Sequence, residues 1–205
     1  MSKFSTPQEN FWEGQFGTEY IERNVGEAFV ASKLILFSNM LRRAPGIDSA
    51  LELGCNIGLN LDALKKLNDK LALTGVEINE DAVKVAVAKN IATIVRNTIV
   101  EPLPINQTFD LTFTKGVMIH VNPECLVNVY DNLYRLSKRY ILVCEYYNPS
   151  PVAVNYRGHS DRLFKRDFAG EMIDRHGLRL LDYGFAYHRD NYAPQDDVTW
   201  FLLEK

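Results

Sequence analysis

Leu51-Glu-Leu-Gly-Cys-Asn-Ile-Gly-Leu-Asn60 is the stretch on which the reading of this chain turns. Ser49 to Gly54 is short and apolar, as a buried strand is, and Leu59 to Leu67 carries Leu61, Leu64 and Lys65 at helical spacing. The link between them holds Gly54 and Gly58 in a G-x-x-x-G spacing. Gly54 allows a tight backbone turn without a Cβ clash, and Gly58 lets the chain approach a ligand closely. In open α/β sheets ligands bind in the crevice outside the carboxyl ends of the strands, where such a turn lies. The helix start beyond Gly58 also offers free N–H groups. Asn60 stands where a dinucleotide fingerprint often has its last glycine, which counts against a pyrophosphate ligand.

Downstream, Leu71 to Val76 is a second apolar run ending at Glu77. An acidic side chain about 20 residues past a glycine turn can accept both ribose hydroxyls of an adenosine. Glu52, near the first strand end, is either a structural partner or a group that orients a bound ammonium. Glu80 to Asn90 reads as a helix with Val83, Ala86 and Val87 inward; Thr93 to Asn97 and Phe109 to Thr114 read as strands. Pro123 to Leu136 is an amphipathic helix with a stripe of Leu126, Val129, Tyr130, Leu133 and Leu136, and Arg139 to Glu145 is a fifth strand.

Upstream, Val30, Leu34, Phe37 and Leu41 mark a helix that ends at Ala44-Pro-Gly46, after a polar, aromatic segment reaching Gly26. Beyond Glu145 the pattern breaks, and Tyr146 to Leu163 reads as a loop or small insertion. Lys165 to His176 is a helix with Gly177 as its stop; Leu178 to Tyr187 and Val198 to Glu204 are two last strands, able to pair antiparallel. The expectation is an α/β, Rossmann-like fold: a seven-stranded, mostly parallel sheet, helices on both faces and a C-terminal antiparallel hairpin. One domain spans 1–205, with 1–26 as a lid segment and 146–166 as an acceptor-side loop or insertion.

The 205 residues suit one compact domain with a real core. A net charge of -3 gives no electrostatic footprint for nucleic acid. Cys55, Cys125 and Cys144 form no close metal-type pair, and an odd count argues against a disulfide framework. The first residues lack the apolar core of a signal peptide, and no apolar run approaches the roughly 20 residues that span a bilayer. These features predict a cytoplasmic protein without membrane or nucleic-acid partners; the chain does not disclose its oligomeric state.

These motifs resemble the class I S-adenosylmethionine-dependent methyltransferases. LELGCNIGLN is similar to their first glycine motif, VEIN at 76–79 to their acidic-loop motif, and FDLTFTKGVMIHV at 109–121 to their fourth-strand motif. The resemblance implies S-adenosyl-L-methionine as cofactor, leaving S-adenosyl-L-homocysteine. It implies cofactor contacts from Gly54, Asn56, Gly58, Asn60, Glu77 and Ile78, adenine contacts from Thr98 and Ile99, and Lys115 and Gly116 beside the sulfonium. The chain is also similar to methylases associated with pseudaminic acid biosynthesis. That likeness rests on FWEGQFGTEYIERN at 11–24, KGVMIHVNP, RYILVCEYYNPSPV, YRGHSDRLFKRDFAGEM, LDYGFAYHRD and DDVTWFLLEK. The association names a pathway, not an acceptor.

Methyl transfer needs near-attack alignment, exclusion of water and, for a hydroxyl or ammonium, removal of a proton. His120 is the leading candidate base, with Tyr146 and His159 as further catalytic candidates; the alternative for His120 is a packed histidine capping the crevice. Tyr147, Asn148, Tyr156, Arg157, Arg162, Lys165 and Arg166 suit a small anionic acceptor such as a sugar acid or nucleotide-sugar, unless the cations serve Asp161, Asp167 and Glu171. Phe11, Trp12, Phe16 and Tyr20 are expected to form a lid over the cofactor or simply to pack a helix onto the sheet, with Tyr20, Arg23 and Asn24 in reach of the cofactor's carboxylate or the acceptor. No metal site is expected; Asp190, Asp196, Asp197 and His188 read as a polar hairpin loop. A non-catalytic cofactor-binding module and a nicotinamide-dependent oxidoreductase are the competing functions.

Overall fold

A computed structural model describes residues 4–21 and 27–205, residues 27–29 by their backbone alone. The elements in order are α1 (Pro7–Glu13), α2 (Gln15–Ile21), α3 (Glu27–Met40), β1 (Ser49–Leu53), α4 (Leu59–Leu67), β2 (Ala72–Glu77), α5 (Glu80–Ala88), β3 (Thr93–Arg96), β4 (Phe109–Lys115), α6 (Leu126–Leu136), β5 (Ser137–Glu145), β6 (Val152–Tyr156), β7 (His159–Lys165), α7 (Phe168–His176), β8 (Arg179–Ala186) and β9 (Val198–Glu204). Seven strands form one sheet in the order β3-β2-β1-β4-β5-β9-β8. The first five are parallel, and β9 runs antiparallel between β5 and β8. The expected architecture is therefore present. No described helix is long and apolar enough to cross a membrane.

Central strands buried on both faces explain the unbroken apolar runs that marked them. On one face α3 and α4 set Phe37, Met40, Leu61 and Leu64 against Leu111, Phe113, Leu142 and Leu202. On the other, α6 and α7 set Val129, Leu133, Phe168 and Met172 against Leu51, Leu53, Ile141 and Leu203. The α6 stripe is buried as expected. In α5 the stripe is rotated from the expected one: Ala82 and Ala86 are buried, and Val87 faces solvent.

Two segments differ more. Residues 152–165, expected within a loop or small insertion, form the β6–β7 hairpin, whose turn Arg157-Gly158 has positive φ at both residues (51° and 87°). That pair of signs belongs to the two-residue turn matching the twist of flanking strands. Lys165 therefore ends a strand, and α7 starts at Phe168, where Asp167 accepts from the Gly170 N–H. The N-terminal segment holds two short helices. Thr6 and Glu9 cap α1 reciprocally, each side chain accepting from the other's backbone N–H.

The chain leaves β1 toward β2 on one side and later returns to β4 on the other. This reversal opens the crevice at the carboxyl ends of β1 and β4.

Candidate functional site

The turn after β1 is built as its glycines require. Gly54 has φ 78°, and the N–H groups of Gly54 and Cys55 both donate to the Val76 carbonyl at 2.8 and 3.0 Å. A Cβ on Gly54 would lie 2.6 Å from a Val117 methyl, so the loop after β4 packs directly on the glycine turn. Gly58, at φ 75°, opens α4.

Glu77 is tied into this turn. One carboxylate oxygen accepts from the Asn56 N–H at 2.7 Å; the other accepts from Ile78 and Asn79 at 2.9 and 2.8 Å. Burial raises its pKa, outweighing these three donors, which favour the anion. Glu52, fully buried, accepts from Asn60 Nδ2 at 2.5 Å, and burial pushes it up to about 8. Its second oxygen and the Asn60 Oδ1 are buried without a hydrogen-bond partner. Two orphaned oxygens on one hydrogen-bonded pair of side chains are an unusual expense in a folded protein and mark a place for a donor.

Thr98 and Ile99 follow β3. The Thr98 N–H donates to Asn97 Oδ1, and its hydroxyl donates to Glu9 of α1 at 2.5 Å. Lys115 ends β4, and Gly116, at φ 67°, donates to the Cys144 carbonyl at 2.9 Å. A turn of 3-10 helix, Met118–His120, follows. Glu145, buried at the end of β5, holds this loop: its carboxylate accepts from Val117 at 3.1 and 3.0 Å and from Ile119 at 3.4 Å.

His120 Nδ1 lies 2.6 Å from the Arg162 carbonyl. A carbonyl only accepts, so Nδ1 carries the hydrogen and Nε2 the lone pair. The ring packs against Trp12 and Tyr156, with centroids 4.7 and 5.1 Å away, and burial pushes its pKa down to about 4.

Helices α1 and α2 lie across this end of the sheet. Asn79 Nδ2 donates to the Trp12 and Glu13 carbonyls, Thr18 donates to Asp81, and Gln8 Nε2 donates to the Asp161 carbonyl. Tyr20 meets Trp12 edge-on, Phe11 meets His159 and Phe16 meets Tyr156. Arg23 and Asn24 lie outside the described residues. Gly17 is the tight point, because a Cβ there would sit 1.8 Å from the Trp12 carbonyl oxygen. Gly17→Ala is therefore expected to unseat the two helices by about 2 kcal/mol, raising the opened population about 30-fold. Limited proteolysis within residues 4–21 should accelerate accordingly, and an unchanged cleavage rate would refute this role of Gly17.

The acceptor-side candidates converge only in part. Tyr156, His159 and Arg162 join His120 and the aromatics of α1 and α2, Arg162 lying over the Phe11 ring and pairing with Asp161 at 2.5 Å. Lys165 lies over the Tyr146 ring. Arg157 sits at the exposed hairpin turn. Tyr147 packs toward Phe201, Asn148 Nδ2 donates to the Ser150 carbonyl, and Arg166 pairs with Glu171 at 2.6 Å. His188 and Asp197 pair in the β8–β9 loop.

Sequence reading gave no site role of their own to Lys33, Asn79, Glu9 and Glu145, although Asn79 closes VEIN and Glu145 ends the fifth strand at the crevice. Thr6-Pro-Gln-Glu9 is a capping signature, and Lys33 stands four residues before Phe37 on the inward stripe. Glu145 is a lone carboxylate closing an apolar strand.

Residues 51–139 match a family described as a methyltransferase domain. No curated protein matches the chain. Among solved structures, magnesium protoporphyrin IX methyltransferase from Synechocystis PCC 6803, with bound SAH, is similar at TM-score 0.68 and 14% identity, over 96% of this chain and 97% of that one. The plantazolicin methyltransferase in complex with SAH is similar at TM-score 0.64 and 14% identity, over 97% and 93%. An S-adenosylmethionine-dependent methyltransferase from Clostridium acetobutylicum is similar at 0.63 and 13%, over 92% and 97%. Residues 51–139 are thus similar to a methyltransferase domain, and the chain shares its fold with these solved methyltransferases.

Proposed function

We propose that this protein transfers the methyl group of S-adenosyl-L-methionine to an oxygen or nitrogen of a small anionic acceptor. The observation that carries the cofactor reading is the buried pair Glu52 Oε2 and Asn60 Oδ1, two acceptors without a donor beside the glycine turn. An amino-acid ammonium satisfies both; a nicotinamide dinucleotide has no such group. In this reading Glu77 takes the ribose hydroxyls, Thr98 and Ile99 line the adenine, Gly54, Asn56, Gly58 and Ile78 shape the pocket, and Lys115, Gly116 and Tyr20 border the methionine. Bound there, S-adenosyl-L-methionine would supply a methyl carbon activated by its sulfonium.

His120 is the proposed contact for the acceptor's reacting group, through the Nε2 lone pair that the Arg162 carbonyl fixes. Tyr146 and His159 border the same space. The anionic class is supported by Arg162, whose Nε is buried without a partner, and by Arg157 and Lys165 on the hairpin. Tyr147, Asn148, Tyr156 and Arg166 complete the proposed acceptor segment. The likeness to methylases associated with pseudaminic acid biosynthesis points to a sugar acid or nucleotide-sugar of bacterial surface glycans.

Titration calorimetry with S-adenosylmethionine, S-adenosylhomocysteine and NAD tests the cofactor reading. Micromolar binding of the first two and none of the third is expected, at about -8 kcal/mol; NAD binding alone would overturn it.

A further inference from the structure

We propose that Lys33 is a further catalytic residue: its Nζ, on α3 over the carboxyl ends of β1, β4 and β5, takes the proton the acceptor sheds on methylation. This rests on the methyl-transfer reading above.

The placement follows from packing and register. Phe37 of α3 meets Phe113 of β4, with ring centroids 5.5 Å apart. Lys33 lies one helical turn before Phe37 on the same stripe, and Lys115 lies two residues beyond Phe113 on the same face of the sheet. Glu52 is the register partner of Phe113, and Cys144 that of Lys115. Lys33, Lys115, Glu52 and Cys144 therefore meet at one corner of the crevice, and the β8–β9 loop brings Asp196 to it. Neither lysine ammonium donates a hydrogen bond to, or forms an ion pair with, another described residue.

Such a corner favours a neutral amine. Burial pushes Lys33 down, Lys115 adds to the shift, and Glu52, Cys144 and Asp196 oppose it, leaving it at about 7. His120, held at about 4, can accept a hydrogen bond at Nε2 but retains a proton poorly. The two roles are therefore separate. His120 orients the acceptor, and Lys33 keeps its proton. The acceptor's O–H or N–H bond breaks with its proton passing to the Nζ lone pair. The new bond to the methyl carbon forms as the carbon–sulfur bond breaks, its electron pair remaining on sulfur.

The test is an NMR titration of protein labelled with 13C at the lysine ε-carbons. Lys33 is assigned from Lys33→Met, or from Lys33→Arg should the first variant not fold. The apo midpoint is expected at about pH 7, against about 10.4 for exposed lysines. With S-adenosylmethionine bound, the midpoint should lie about one pH unit below its value with S-adenosylhomocysteine, the effect of a unit charge within about 10 Å. A midpoint among the exposed lysines, or equal midpoints with the two ligands, would overturn the proposal. Calorimetry on the same sample separates the two ideas: binding of either ligand leaves the methyl-transfer reading standing, and binding of neither removes it.

Discussion

Glu77→Ala is expected to weaken S-adenosylmethionine binding about 100-fold, read by titration calorimetry. Two effects combine. The carboxylate is the proposed acceptor for the ribose hydroxyls, and losing two charge-assisted hydrogen bonds removes about 3 kcal/mol. The same carboxylate also accepts from Asn56, Ile78 and Asn79, so its removal frees the turn after β1 from the end of β2. Loss of this tether leaves three N–H groups to find water and adds an ordering penalty to every binding event. Glu77→Gln separates the effects. It keeps one acceptor oxygen for the turn but presents an amide to the ribose, so it should fall between wild type and the alanine variant. An affinity within threefold of wild type for Glu77→Ala would remove Glu77 from the cofactor site.

The tether also explains how much of the site was legible. That an acidic residue ends the second strand can be read from the sequence. That its carboxylate is claimed by the N–H groups of the glycine turn and of its own turn cannot, because those donors are identical at every residue. The parallel strands were legible because burial on both faces writes continuous apolar runs. The β6–β7 hairpin was not: Val152, Ala153 and Asn155 are all exposed, so no alternation records the strand. Its turn also sets Arg157 at φ 51°, against the preference of its residue type. In α5 the valines suggested an inward stripe, but alanines pack closer, and Ala82 and Ala86 hold the contact.

The basic crowd at 157–166 shows the same limit. Composition alone could not divide it. The fold turns Arg166 toward Glu171, which also accepts from the Tyr130 hydroxyl at 2.7 Å. Arg162 pairs with Asp161 yet keeps Nε unpartnered beside the Phe11 ring. Salt bridging and acceptor recognition are therefore both open to this one segment, through different atoms.

Glu145 offers the largest expected effect on stability. Glu145→Ala removes the acceptor of the Val117 and Ile119 N–H groups in the loop that carries His120. One buried and one part-buried donor without a partner, together with the cavity left behind, should destabilise the fold by about 3–5 kcal/mol in urea denaturation. Amide exchange at Val117 and Ile119 should rise in step. Glu145→Gln isolates the charge. Burial raises Glu145 to about 7, the donated N–H bonds notwithstanding, from about 4.3 in the unfolded chain. The folded state then holds the proton more tightly than the unfolded state does. The contribution to stability is complete below the unfolded pKa and is lost as pH rises through the folded one, about 3–4 kcal/mol across that window. Glutamine cannot ionise, so the variant should gain about that much on wild type between about pH 4 and pH 8. A stability difference that stays flat with pH would show that Glu145 is already ionised throughout, with its N–H donors outweighing its burial.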